Sequence, residues 1–321
     1  MKRIPILLLA ASVLAASLTA CGSPAASSSS APPSSAPSSA FQGYTFTDDL
    51  GRTVTVEQPE RVAALIGSFA DVWCLAGGQS TLVAAAHDAW TSFDLGLSDT
   101  AADLGAVKEP NLEVLLAAQP DFILASCNTT ADLELESTFE SAGIPTAYFD
   151  IQSFDDYLNM LKICTDLTGC PENYETYGLQ VQEQVEAAKA RQDGSAPTVL
   201  TIRATGSSCK VKGSQDFLLG EMLSDLGCVN VADSETSLLE ELSLEAILAA
   251  DPDYIFVVLQ GSDATDAQET LEKTLLSNPA WGSLRAVQEG RFHTLEHSLY
   301  NLKPNARWGE AYEKLADILY P

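Results

Sequence analysis

The sequence predicts an α/β protein of two Rossmann-like lobes, each with a central, mostly parallel sheet, joined by one long rigid helix. Three observations carry this. Residues 111–124, NLEVLLAAQPDFIL, return 132 positions later at residues 243–256 as SLEAILAADPDYIF, with eight of fourteen positions identical. Each copy reads as a short helix, a Pro-Asp turn and a buried strand. Apolar runs alternate with helical periods on both sides of the chain's middle. They are continuous runs, as in parallel strands covered by helices on both faces. A long amphipathic stretch, residues 174–191, lies between the two copies, where a two-lobed chain needs its connection. Two lobes imply a cleft.

The elements follow in order. A β-rich lead-in spans residues 44–56, then a strand over 61–67 and a helix over 69–77 closed by Gly77 and Gly78. A strand over 81–86, the first repeat copy (helix 111–118, strand 121–126), a helix over 133–142 ended by Gly143 and a strand over 146–150 complete the first lobe's core. Residues 154–167 and 174–191 are helical by period, and residues 193–197 (DGSAP) break the pattern. The alternation restarts with a strand over 198–203 and a helix over 216–226 capped by Gly227. After the second copy come a helix over 265–276, a strand over 291–295 and a C-terminal helix over 306–319. A stiff connecting helix predicts a small opening motion rather than a wide hinge.

Residues 1–20 read as a lipoprotein signal peptide. Lys2 and Arg3 precede a mostly apolar stretch of fifteen residues, 4–18, and Leu18-Thr19-Ala20-Cys21 supplies small residues before a cysteine. The stretch falls short of the ~20 residues a bilayer span needs. Cys21 is the expected lipidated residue, followed by a linker to residue 43. Within it, residues 22–40 hold nine Ser, five Ala, four Pro and one Gly, a composition that buries too little to order itself. The expected organisation is then a lobe over 44–170, the connecting helix over 171–195 and a lobe over 196–321.

Removing Lys2 and Arg3 leaves 15 basic against 44 acidic residues, a charge of −29. That excludes nucleic acid, which demands a basic face, and direct docking on anionic lipid. The remaining cysteines, Cys74, Cys127, Cys164, Cys170, Cys209 and Cys228, have no C-x-x-C spacing and no adjacent histidine, so no zinc site is expected. Cys164 with Cys170 and Cys209 with Cys228 are possible pairs in an exported chain, and free thiols are the other reading.

The residues also resemble a known family. FTDDLGRTV at 46–54 with PERV at 59–62 is similar to the start of the iron-siderophore, haem and cobalamin substrate-binding proteins of ABC importers, and EPNLE at 109–113 with QPD at 119–121 is similar to their first-lobe signature. The resemblance covers essentially all of residues 44–321. It implies a bilobed extracytoplasmic binding protein, acting as a monomer with an ABC permease and its ATPase and attached to the membrane by its lipid alone. It also implies that Glu113 and Glu245, which hold the same place in the two copies, meet arginines of the permease. Two fixed carboxylates, one per lobe, would let one docking surface sense lobe separation. The alternative is that each merely favours a helix N-terminus.

Loops beyond the C-terminal ends of strands line the cleft in open α/β sheets. Arg203, Lys210 and Lys212 place three cations within ten residues, suited to an anionic ferric siderophore. His87 and His297 each follow a strand, one per lobe, and with Tyr300 are candidates to ligate a haem or complete an iron site. Trp90 and Tyr300 are candidates to stack on a flat ligand. His293-Thr294-Leu295-Glu296-His297 matches H-x-x-E-H, a zinc-peptidase pattern. That chemistry needs both histidines on one helical face, and this stretch reads as a strand. No nucleophile elbow, P-loop or dinucleotide fingerprint is present, so no catalysis and no cofactor are expected. The rivals to siderophore capture are the same role for haem or a corrinoid such as cobalamin, a metal-dependent hydrolase, and an adhesion or sensory lipoprotein.

Overall fold

The computed structural model describes residues 43–215, 217–240, 242–261 and 264–321. The expected signal peptide, Cys21, the linker as far as residue 42, and Asp216 at the start of one expected helix lie outside the described residues.

An antiparallel hairpin, β1 (Tyr44–Thr47) and β2 (Thr53–Val56), leads into a sheet of five parallel strands in the order β5-β4-β3-β6-β7. These are β3 (Val62–Ala64), β4 (Leu82–Ala85), β5 (Ala102–Asp103), β6 (Phe122–Ser126) and β7 (Thr146–Phe149). Between them run α1 (Gly67–Leu75), α2 (Asp88–Thr91), α3 (Leu112–Ala117), α4 (Thr130–Glu134) and α5 (Glu136–Ala142). Next comes α6 (Phe154–Thr168), opened by a reciprocal Ser153–Asp156 cap and closed by Gly169 at φ 73°. The connecting helix is α7 (Pro171–Tyr174), a π turn over Glu175–Leu179, and α8 (Gln180–Lys189).

The second sheet has the order β10-β8-β11-β12, all parallel, with β9 antiparallel on β8. Its strands are β8 (Thr198–Ala204), β9 (Cys209–Lys212), β10 (Val229–Asn230), β11 (Tyr254–Leu259) and β12 (Phe292–Leu295). Its helices are α9 (Leu218–Asp225), α10 (Val231–Ser234), α11 (Ser237–Glu240), α12 (Leu244–Ala250), α13 (Ala264–Leu271), α14 (Arg285–Gln288), α15 (His297–Tyr300) and α16 (Trp308–Leu319). The main correction to the predicted elements is β9: residues 203–212, read as a loop, are a hairpin.

The repeated segment folds alike in both lobes. Asn111 Oδ1 accepts the Val114 amide at the start of α3, and Ser243 Oγ accepts the Ala246 amide at the start of α12. Each helix ends in a left-handed residue before its proline, Gln119 at φ 50° and Asp251 at φ 38°. The aspartate after the proline then pins the neighbouring strand. Asp121 accepts the amides of Glu60 and Arg61 at 3.0 Å each, and Asp253 Oδ2 accepts the Thr198 amide at 2.9 Å and its hydroxyl at 2.7 Å. An arginine satisfies carbonyls at each helix end: Arg61 donates to Ala118 and Gln119, Arg285 to Asp251.

Alternation along the strands divides the core. Ala63, Leu65, Ile123 and Ala125 of the first lobe pack with Leu115 and Phe139 on one face. Leu200, Ile202, Ile255 and Val257 of the second pack with Ile247 and Leu275. The opposite faces, Val62, Ala64, Phe122 and Leu124 of one sheet and Val199, Phe256 and Val258 of the other, belong to a single cluster with α1, α6, α8, α9 and α16. Helix α16 crosses α8 at Gly309, where a Cβ would stand 2.0 Å from Gln184 Oε1. The six described cysteines are unpaired, and burial pushes the thiols of Cys74, Cys127 and Cys228 up to about 12. No described helix is long and apolar enough to cross a membrane.

Because Asp253 holds β8 through two hydrogen bonds to Thr198, Asp253→Ala should cost about 2–4 kcal/mol, two charge-assisted bonds' worth. A urea titration checks this; a loss below about 0.5 kcal/mol would show that the turn does not anchor the strand.

Candidate functional site

The parallel strands of each sheet end on one edge, and the loops there form the rim of the candidate site. In the first lobe four aspartates fix that rim by accepting backbone amides. Asp88 takes Gly67 (2.8 Å), Asp103 takes Gly105 (2.8 Å), Asp132 takes Ser126 (2.8 Å) and Asp49 takes Asp150 (2.7 Å). Gly67 is required at its position, since a Cβ would meet the Ala89 amide nitrogen at 2.7 Å. Burial raises the carboxyls of Asp49 and Asp88 above the ordinary aspartate value, only partly offset by the amides they accept. His87, beyond β4, places Nδ1 2.7 Å from Asp103 Oδ2, and its side chain is 56% exposed. Trp90, in α2, is half-buried against the core.

The second lobe presents cations. Arg203 on β8 lies directly opposite Lys210 on β9, and Thr201 opposite Lys212. Directly paired residues project from the same side of a sheet, so the three cations share one face. By alternation it is the face that carries Val199 into the shared core, and Arg203 stands near its open end. Arg203 Nε is buried with no hydrogen-bond partner, and Arg203 forms no ion pair among the described residues. Lys210 is exposed and Lys212 half-buried. Burying the Arg203 Nε unpaired is costly, and a guanidinium presents a planar fork suited to carboxylate-like oxygens.

The histidines and Tyr300 are placed differently from one another. His297 opens α15, with Nδ1 2.8 Å from the Leu259 carbonyl. Tyr300 is 1% exposed and donates its hydroxyl to the Ala311 carbonyl at 2.9 Å, so its ring packs in the core and is not presented to a ligand. His293 stands in β12, stacked on Phe256 at 5.7 Å, while His297 is in α15. The two histidines of the H-x-x-E-H pattern therefore lie on different elements. No group of three or more His, Cys, Asp or Glu among the described residues is arranged to hold a metal ion.

Glu113 and Glu245 are both exposed in the first turn of capped helices, α3 and α12, and neither forms an ion pair among the described residues. Each helix runs antiparallel to the strand that follows it, which sets both carboxylates at the strand-end edge of their sheets.

Sequence reasoning did not single out Asp103, Asp132 or Asn305. The carboxylates gave no signal, because their partners are backbone amides that any residue supplies.

A family model for periplasmic binding proteins matches residues 62–299. The chain belongs to that family. It is a substrate-binding protein and not an enzyme, as the resemblance implied. The iron-uptake system-binding protein of Bacillus subtilis (strain 168) is 25% identical over 222 residues, covering 68% of this chain and 67% of that one. Among solved structures, Staphylococcus aureus SirA complexed with staphyloferrin B has a TM-score of 0.64 at 22% identity, covering 86% of this chain and 97% of that chain. The periplasmic heme-binding protein RhuT from Roseiflexus sp. RS-1, in apo form, has a TM-score of 0.65 at 21% identity, covering 81% of this chain and 98% of that chain. At these identities the two structures establish the shared bilobed fold alone.

Asp132 offers a test of the rim. It is fully buried, Oδ1 has no partner, and burial pushes its carboxyl from 3.8 up to about 7, against the opposing Ser126 amide. A carboxyl raised on folding contributes stability that is complete below pH 4 and lost as pH rises to about 7. Asp132→Asn keeps an acceptor for Ser126 without the charge. It should gain on the parent protein by at most about 1.4 kcal/mol per pH unit across that window. Denaturation at pH 4 and pH 7.5 measures the gain, and a difference that does not change with pH would refute it.

Proposed function

We propose that this protein captures an anionic ferric siderophore between its lobes, outside the cytoplasm, and delivers it to an ABC permease. On this reading it is a monomer anchored through a lipid on Cys21. The lobes span residues 44–170 and 196–321, and the connecting helix spans 171–195.

The observation that carries the ligand class is the unpartnered, buried Nε of Arg203 beside Lys210 in a chain of net charge −27. Acidic side chains are abundant, yet none among those described neutralises this guanidinium. An incoming chelate with carboxylate or catecholate oxygens would supply the missing acceptors, with Lys210 and Lys212 adding less directional charge. The names of the Bacillus subtilis relative and of the Staphylococcus aureus complex support an iron-bearing ligand. His87, held by Asp103, and Trp90 border the site from the first lobe, and His297 from the second. For delivery, Glu113 and Glu245 would meet one basic group on each half of the permease, since the repeat places them equivalently.

Tryptophan fluorescence titrated with ferric citrate, a ferric catecholate, a ferric hydroxamate, haem and cobalamin tests the ligand class. Saturable quenching by a ferric chelate is expected. A Soret shift with haem alone, or indifference to all five, would sink the reading. Arg203→Gln should weaken the ferric chelate by about 10- to 100-fold, the loss of one or two charge-assisted hydrogen bonds. Reversing both docking charges, Glu113→Lys with Glu245→Lys, should abolish uptake in cells while leaving chelate affinity within about twofold. Uptake that survives the double reversal would rule out the docking role.

A further inference from the structure

Besides the connecting helix and the shared apolar core, the hydrogen bonds between the lobes among the described residues come from one short stretch of the second lobe. Lys303 Nζ donates to the Ile151 carbonyl just beyond β7, close to the carboxylates of Asp150 and Asp156. Two residues later, Asn305 is fully buried at φ 50°, a left-handed backbone that asparagine tolerates and most residues do not. Its Nδ2 donates to the Ser68 carbonyl and to Asp71 Oδ2, both at 2.8 Å and both in α1 of the first lobe. One residue type thus serves two needs, a strained turn and a polar bridge across 234 to 237 positions of sequence.

The same joint borders a pocket open to solvent, of about 230 Å³, lined by Asp71, Phe93, Lys303, Pro304 and Arg307 among others. Two buried oxygens at the joint, Ser68 Oγ and Asn305 Oδ1, have no partner. Solvent at its side and unpaired buried polar atoms both weaken a contact relative to a close-packed apolar one. The lobes therefore meet through a tight apolar layer below and a looser polar joint at the strand-end edge. Any relative motion should begin at the looser one.

We propose that Lys303 and Asn305 form a clasp that sets the resting angle between the lobes and so the width of the cleft. Release of the clasp, with the apolar layer intact, is the opening motion. The clasp also fixes the spacing of Glu113 and Glu245, so a ligand that alters it would be reported to the docking partner. That last consequence rests on the import reading; the clasp itself does not.

The test uses two variants of the ligand-free protein. Asn305→Gly keeps the left-handed backbone accessible and removes the bridge, while Lys303→Met keeps the stem and removes the donor. Hydrogen exchange followed by mass spectrometry should show residues 66–75 and 149–156 exchanging at least about tenfold faster in each variant, with β6 and β11 unchanged. Cooperative melting establishes that each variant is folded. Exchange within about twofold of the parent at both segments, in folded variants, overturns the proposal. Faster exchange throughout β6 and β11 overturns it too, because the segment would then be a general support of the core. The five-ligand titration of the parent protein separates the two readings. Indifference to all five alongside accelerated local exchange would end the import reading and leave the clasp standing.

Discussion

The structure depends on one apolar layer that both sheets share. Phe122 and Leu124 from the first sheet and Phe256 and Val258 from the second are buried in the same cluster as α1, α6, α8, α9 and α16. Fully exposing one such side chain costs about 1.5–3 kcal/mol. Phe154 of α6 and Trp308 of α16 meet across the lobes with ring centroids 5.7 Å apart, so parting the lobes would expose both at a cost of roughly 3–6 kcal/mol. Wide separation of the lobes is thereby opposed under native conditions. Gly309 of α16 lies against the Gln184 side chain of α8, where a Cβ would stand 2.6 Å from the Gln184 Cβ, so the connecting helix is closely seated on the second lobe. What remains available is motion at the strand-end edge, above the layer, where the contacts are polar and border solvent.

That separation of roles also explains where the charge sits. On the first lobe's rim, Asp49, Asp88, Asp103 and Asp132 are occupied with backbone amides, so acidity there fixes loops. A rim held by local hydrogen bonds needs no ligand to shape it, and preorganisation of this kind lowers the ordering cost of binding. The second lobe's rim is a hairpin whose outward positions alternate with Cys209 and Val211, both buried, and carry Lys210 and Lys212. The two sides of the site are thus electrostatically unlike, although the lobes that bear them are built from the same repeated unit.

The degree to which this was legible in the sequence follows from the same physics. The repeat was readable because a helix cap, a left-handed helix end, a proline and a strand-pinning aspartate each demand particular residue types, and both copies meet those demands at Asn111 and Ser243, Pro120 and Pro252, Asp121 and Asp253. Strands of four or more continuous apolar residues were readable for the same reason. The two-residue strands β5 and β10 were not, since two residues hold no period. The hairpin strand β9 had a period, Cys-Lys-Val-Lys, but its lysines suggested a solvated loop. At the candidate site, Arg203 and Lys210 were picked out by charge alone. Tyr300 was misplaced because a loop position says nothing of which way a ring turns, and here it turns inward to Ala311. Asn305 was invisible, because its partners Ser68 and Asp71 are more than 230 positions away in sequence.

The state of the other cations gives Arg203 its weight. Arg52 is held by Asp48 and Glu136, Arg191 by Asp317, Arg285 by Asp253, Arg291 by Glu289, and Arg307 and Lys314 by Glu296 and Glu310. A chain with 44 acidic residues neutralises five of its other described arginines, even at exposed positions where such pairs are worth at most about 1 kcal/mol, while Arg61 is held by the Ala118 and Gln119 carbonyls. At Arg203, where part of the guanidinium is withdrawn from water and a partner would be worth more, no acidic side chain among the described residues is supplied. A permanent carboxylate there would fill the fork that an anionic ligand needs and would repel that ligand at close range. On the siderophore reading, leaving the group unmatched costs stability in the empty protein, and that cost would be recovered when an anion arrives. The repeated scaffold accounts for the two lobes, and on that reading the unrepeated Arg203 would set the preference among cargoes.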